Sequence, residues 1–281
     1  MIITQLKTST YSRSAVTEAR DTRPIDACHD DFGECKGIAK GPVFLVGSGM
    51  SARSFPFREF SCIPMITMNG AISMFMHTPV KPFFYVCSDR DFSRQQPDLF
   101  AAALRSSEHI ALWGDQLDGL KSKTKGQLHE LKKAYRSSAA ILFNRHPDLI
   151  RKRSVLSKRS RDIGFSKDMT LGFFDARTVM YVALQIAYHV GFNKVFLVGF
   201  DLSQAAGRFY ETQTSTCSPC GLDQHYESRI LPSLKLMSTS VINDDFEVYN
   251  LSATSRVPDD ILPKITLDEV RLKLGLSCFH P

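Results

Sequence analysis

Five short groups of residues hold most of the chemistry this chain could do. Gly199-Phe200-Asp201 ends the apolar run Val195–Val198 and is soon followed by Gly207-Arg208-Phe209-Tyr210. Gly47-Ser48-Gly49 ends a second apolar run, and Met68-Asn69-Gly70 and Cys87-Ser88-Asp89 end two more. Glycines at a strand end let backbone approach a ligand closely, and a helix N-terminus after them offers N–H groups to a phosphate. Arg208 and Tyr210 carry a guanidinium and a phenol, both able to stabilise developing negative charge. A general base working near neutrality is a task that suits histidine, and His225 is the candidate. Each group also has a plainer explanation. A Gly-rich turn is often only a tight turn, Asn69 and Asp89 suit turns without any ligand, and a lone histidine is usually structural or on the surface. Jointly they are more specific, because open α/β sheets bind ligands just beyond the carboxyl ends of their strands.

The surrounding pattern supplies such a sheet. Val195–Val198 is apolar on every side, as a central parallel strand covered on both faces must be. Further strands are expected at Pro42–Val46, Ile63–Met68, Phe83–Cys87, Ile110–Trp113 and Phe246–Leu251. Helices are expected at Ala71–Met76, around Ala101–Leu104, at Gln127–Tyr135, at Thr178–Val190 with Thr178 as N-cap, and at Asp223–Ser240 with an interruption at Pro232. Alternating strands and helices predict an α/β class, a doubly wound and mostly parallel sheet of modified Rossmann-like, nucleotide-binding type. Residues 1–40 are polar and aperiodic and read as a partly disordered extension. Residues 41–281 read as one domain, with lid or loop segments near 145–165 and 203–225.

A chain of 281 residues, 43% of them hydrophobic, can bury a large core without staples. Seven scattered cysteines, an odd number, argue against a secreted disulfide framework and for a cytoplasmic location. No apolar run of about 18 residues is present to span a bilayer. The net charge of +6 suits an anionic partner of some kind. Basic residues concentrate in Arg145–Arg161, a solvated loop or lid or else an anion-recruiting surface. Aromatic residues that could stack bases are missing there, which argues against nucleic acid. Cys217-Ser-Pro-Cys220 lacks a partner motif at ligand spacing, so no metal site is assigned, although Cys28 and Cys35 could complete four ligands at an atypical spacing. Neither GxGxxG nor GxxxxGK[ST] occurs, which counts against a dehydrogenase or P-loop enzyme.

The order Val43-Phe-Leu-Val-Gly-Ser-Gly-Met-Ser51, Met68-Asn69-Gly70, Tyr85-Val-Cys-Ser-Asp89, Asp168-Met-Thr-Leu-Gly172, Val198-Gly-Phe-Asp201, Gly207-Arg-Phe-Tyr210 and His225-Tyr226 resembles the bacterial sialyltransferases of glycosyltransferase family 42. From Gly164 to Ser252 it is more similar to the lipopolysaccharide-core Kdo transferases of the WaaZ type. The resemblance runs from about Pro42 to about Ile265 and is strongest in the second half. It implies a metal-independent transferase with a small lid and no cofactor, moving an acidic 3-deoxy-ulosonic sugar from its CMP ester to a glycan hydroxyl. Gly47, Ser48, Gly49 and Asn69 would hold the CMP portion, with Ser88, Asp89, Thr170, Gly172 and Asp201 as further contacts; Arg177 and Thr178 are the alternative register for the Thr170–Gly172 pair. Tyr210 would help the phosphate leave, Arg208 would meet a phosphate or carboxylate, and His225 would act as base, with His146 as runner-up. The second tyrosine of the sialyltransferase pattern is absent, since Leu202 or Ser203 stands in its place. The implied partners are the CMP-sugar, a phosphorylated lipopolysaccharide or other glycan acceptor, and the inner face of the inner membrane as a peripheral surface, with room for a homo-oligomer. Two other readings stay open: a paralogue that binds the CMP-sugar without turnover, and another nucleotide-dependent transferase on the same scaffold.

Overall fold

The computed structural model describes residues 32–134, 146–152, 162–203, 207–210 and 222–276. Nine strands occur among them: β1 Pro42–Val46, β2 Met65–Met68, β3 Phe84–Val86, β4 His109–Trp113, β5 Gln127–Leu131, β6 Leu149–Arg151, β7 Gly164–Ser166, β8 Lys194–Val198 and β9 Glu247–Asn250. Seven of them form one parallel sheet in the order β5-β4-β3-β2-β1-β8-β9, and β6 pairs antiparallel with β7 in a separate ribbon. Chain order runs outward from β1 in one direction and resumes at β8 in the other, so β1 and β8 flank the topological switch point. There the loops leave the sheet in opposite directions and open a crevice above the carboxyl ends.

Side-chain alternation divides the interior into two layers. Val43, Leu45, Ile66, Met68, Val195 and Leu197 face the layer covered by the helices Val179–Val190 and Leu231–Ser240. Phe44, Val46, Met65, Phe196 and Val198 face the other, filled by Phe55, Phe57, Phe60 and the helix Pro97–Ser106. The helix Val179–Val190 is buried almost all round and stops at Gly191, whose left-handed φ of 105° closes it.

Three expectations change. Gln127–Leu131 is strand β5, because Leu128, His129 and Leu131 turn inward and the backbone pairs with β4. The good helix formers Glu130 and Lys132 are overruled by this non-local pairing. The fold also begins before Gly41: Phe32 and Cys35 are buried, and the N–H groups of Gly37 and Ala39 donate to His189 and Val190 carbonyls at 3.0 Å each. Ala71–Met76 overlaps a 3-10 helix, Asn69–Phe75, with Met76 as its cap. Asp223–Ser240 is helical as expected, broken by a π turn at Tyr226–Ile230 just ahead of Pro232 in the first turn of Leu231–Ser240. Among the described residues, no helix is long and apolar enough to cross a membrane.

Candidate active site

The turns after β1 and β8 are zipped together. Gly47 and Gly49 N–H groups donate to the carbonyls of Val198 at 2.8 Å and Gly199 at 3.1 Å, and the Phe209 N–H donates to Ser48 O at 3.2 Å. A Cβ on Gly49 would lie 2.6 Å from both the Gly199 carbonyl and the Asp201 carboxylate. Gly49 is therefore required by the meeting of two loops, where the sequence suggested approach to a ligand. Asp201, 5% exposed, locks the same junction. Its carboxylate accepts from the Ser51 N–H at 3.0 Å, from the Ser51 hydroxyl and from the Ser252 hydroxyl, and its carbonyl accepts from Arg256 N at 3.1 Å. Asp201 is a latch joining the loops after β1, β8 and β9.

Above this junction lies a cleft of about 760 Å³. Gly47, Ser48, Gly49, Asn69, Ser88, Asp89, Asp201, Arg208 and His225 all line it, so strand ends spread over the chain meet in one place. The Arg208 guanidinium donates to the Tyr210 hydroxyl at 3.3 Å, and the Tyr210 ring covers Gly70, where a Cβ would lie 2.2 Å from ring atoms. His225 closes the short helix Leu222–His225 immediately before the π turn, a local distortion frequent at functional sites.

Three non-glycine residues among those described have left-handed backbone: Asn69 (φ 44°), Arg177 (φ 65°) and Leu202 (φ 54°). All three line the cleft. Such conformations cost about 1–3 kcal/mol each and persist where the surroundings enforce them, often at binding sites. Asn69 adds a second anomaly: its side-chain carbonyl oxygen is buried without a hydrogen-bond partner. An orphaned acceptor at a cleft wall is satisfied when a donor arrives.

Thr170 and Gly172 are placed elsewhere. Thr170 N and its hydroxyl donate to Asp168 at 2.9 and 2.7 Å, and Gly172 packs on the backbone of Lys132–Ala134 with φ 85°. Arg177 and Thr178 occupy the cleft wall in their stead, and Thr178, although at the helix N-cap, makes no capping bond with its side chain. His146 faces Asp148, whose N–H donates to its Nδ1 at 3.3 Å, and does not line the cleft. Cys28, Cys217 and Cys220 lie outside the described residues, as does most of Arg145–Arg161; Cys35 is buried with its thiol donating to Phe32 O at 3.3 Å.

The sequence reading passed over Trp113, Phe173 and Asp175. Trp113, the one tryptophan, ends β4 on the cleft wall, donates to Ser88 O at 2.8 Å and carries the Arg90 guanidinium 4.7 Å from its ring centroid. Its position one strand beyond Ser88-Asp89 was the available signal. Asp175 accepts from Lys133 at 2.8 Å and from Arg177 N at 2.8 Å. Burial opposes ionisation of Asp175, but these bonds outweigh it and hold its carboxyl below the usual range.

Residues 36–268 match the family described as 3-deoxy-D-manno-octulosonic acid transferase WaaZ. The chain belongs to that family. A relative from Salmonella typhimurium, described as "Probable 3-deoxy-manno-octulosonic acid transferase", is 29% identical over 81% of this chain and 87% of its own length. One from Escherichia coli with the same description is 27% identical over 81% of this chain and 83% of its own. A solved structure, the MAf glycosyltransferase from Magnetospirillum magneticum AMB-1, superposes with a TM-score of 0.48 and 14% identity, covering 84% of this chain and 36% of that one. As a member of the WaaZ family the chain is a glycosyltransferase.

Proposed function

We propose that the cleft binds a CMP-activated acidic ulosonic sugar, of Kdo or sialic acid type, and transfers it to a hydroxyl of a lipopolysaccharide-core glycan. The observation that carries this reading is Asn69, an unsatisfied acceptor in a left-handed turn at the end of β2, one strand from the sheet's switch point. A ribose hydroxyl or the exocyclic amine of cytosine is the kind of donor it lacks. The Gly47–Gly49 and Ser88–Asp89 turns complete the nucleotide wall.

Breaking the anomeric bond to the CMP phosphate places charge on the leaving group and oxocarbenium character on the sugar. The Arg208 guanidinium, with the Tyr210 phenol it bonds to, would act as a coupled pair on the phosphate oxygens, and Arg177 on the cleft wall would add a cation. The cleft's carboxylates are committed within the protein: Asp89 accepts Asp91 N at 2.9 Å, Asp175 pairs with Lys133, and Asp201 is the latch. In this reading neutralisation falls to arginine and phenol, and the reaction would need no metal. His225 would take the acceptor proton as the glycosidic bond forms. With such an acceptor the enzyme would work in the cytoplasm, at the inner face of the inner membrane.

CMP should raise Tm more than ATP or NAD does, by binding the folded state. Incubation with CMP-Kdo and CMP-sialic acid should release CMP from one of them when acceptor is supplied. Absence of a cytidine-nucleotide effect on Tm would overturn the donor assignment. Binding without release from either sugar would mark a non-catalytic paralogue.

A further inference from the structure

A second hollow, of about 60 Å³, adjoins the main cleft. Its charged wall consists of Lys133, Arg151, Arg177 and Arg229 against Asp162 and Asp175, four cations to two acids. Asp175 and Arg177, with Phe173 between the two spaces, line both, so the hollow is a side chamber of the cleft. It has room for roughly two waters, or the oxygens of one carboxylate or phosphate. None of the strand-end residues assigned to the nucleotide reaches it.

The arginines are held in place before any ligand arrives. Arg151 comes from β6 and lays its guanidinium 4.6 Å from the centroid of the Phe174 ring. Arg229, on the π turn that follows His225, donates to Asp175 O at 2.8 Å and stands 3.9 Å from the Asp162 carboxylate. Burial pushes the Arg151 pKa down, and Asp162 opposes that shift. Asp175 pairs with Lys133 and Asp162 with Arg229, within a lining that carries four cations to two acids.

We propose that this side chamber is the subsite for an anionic substituent, carboxylate or phosphate, of the acceptor glycan, gripped by Arg151 and Arg229. The inference rests on the glycosyl-transfer reading above, and extends it from the donor to the acceptor. Preplaced guanidinium groups give a planar anion paired hydrogen bonds and orient the hydroxyl beside it towards His225. They also give Arg151 of β6 a function beyond packing on Phe174.

The test compares wild type with Arg151→Met, which keeps the aliphatic stem over Phe174 and removes the charge. Thermal unfolding is followed with CMP, with inorganic phosphate and with free Kdo, each anion with and without saturating CMP. The CMP shift should be equal in both proteins. The anion shift should add to that of CMP in wild type, and in the variant the anion should bind about tenfold more weakly, the effect of one charge-assisted contact. The larger response, to phosphate or to the carboxylate of Kdo, names the anion. In turnover assays the acceptor KM should rise about tenfold with the donor KM unchanged. Anion shifts that vanish under saturating CMP would overturn the proposal, as would unchanged anion binding in Arg151→Met. Arg229→Lys, which keeps the charge but loses the guanidinium fork, should show a smaller loss of the same sign. Loss of the CMP shift with the anion shift retained would refute the donor reading and leave the subsite standing.

Discussion

Two polar regions of this molecule use the same residue types to opposite ends. Beneath Phe32, on one layer of the sheet, Asp168 accepts from Lys36 and Thr170, while His189 accepts Met169 N at 3.1 Å and donates to Phe32 O at 2.7 Å. His109 and His129 meet through ring nitrogens 3.1 Å apart among the Phe83, Phe84 and Phe32 rings. Lys36 and Thr170 outweigh the burial of Asp168 and hold its pKa at about 2. At the cleft, by contrast, the backbone is strained at three residues, Asn69 keeps an orphaned acceptor, and His225 has no hydrogen-bond partner among the described residues. In the first region Asp168, Thr170, Lys36 and His189 hold the N-terminal segment and the loop after β7 to the core, and His129 Nδ1 stays without a partner among aromatic rings with no opening to the cleft. The second keeps them available for a ligand. An aspartate, a threonine and a histidine in proximity therefore say little about function until their hydrogen bonds are traced.

The largest test of this contrast is His225→Asn, expected to lower kcat by about 10²–10⁴-fold with the CMP shift in Tm intact. His189→Asn should instead leave kcat near wild type and lower the urea midpoint. Reversal of that pair of outcomes would exchange the roles of the two regions. Next comes Asp201→Ala, which strands the Ser51 and Ser252 donors and should cost about 3 kcal/mol in urea unfolding. It should also weaken CMP binding, because the β1 and β8 turns lose their latch.

A smaller effect is expected from pH. Burial depresses His109 to about 4, and burial with the neighbouring histidines takes His129 to about 3. Between those values and the unfolded value near 6.5 the unfolded chain binds more protons, so stability is full above about pH 6.5 and declines as pH falls towards 4. A loss of about 1–2 kcal/mol between pH 7 and 6 should appear in urea titrations and shrink in His129→Leu. The smallest is Gly70→Ala, whose methyl would displace the Tyr210 ring. Turnover should fall about tenfold with little change in Tm, since a surface-facing ring can move where a buried strand cannot. A normal kcat would separate Tyr210 from the chemistry.

Much of the site was legible because strand ends are local. The apolar runs at Val43–Val46 and Val195–Val198 announce buried parallel strands, and whatever follows such strands must sit at the carboxyl edge; Gly47–Gly49, Asn69, Ser88, Asp89 and Asp201 accordingly all line the cleft. Roles were harder to read than positions. Gly49 and Asp201 have the types of ligand contacts, yet they serve each other across the loop junction. Thr170 and Thr178 could not be told apart by pattern, because the turn that buries one against Asp168 and turns the other to the cleft depends on contacts with Lys36 and β5. Helix propensity at Gln127–Leu131 gave way to pairing with β4 for a similar reason.

The sequence by itself determined the α/β class, the central strands and the strand-end positions of the site, since hydrophobic period and turn chemistry act over a few residues. Only the tertiary structure decided that β1 and β8 are neighbours, that Asp201 is a latch and Asn69 an open acceptor, and that Arg151, Arg177 and Arg229 share one chamber. Those facts rest on hydrogen bonds and charges that meet across long stretches of chain, and local pattern carries no record of such partners.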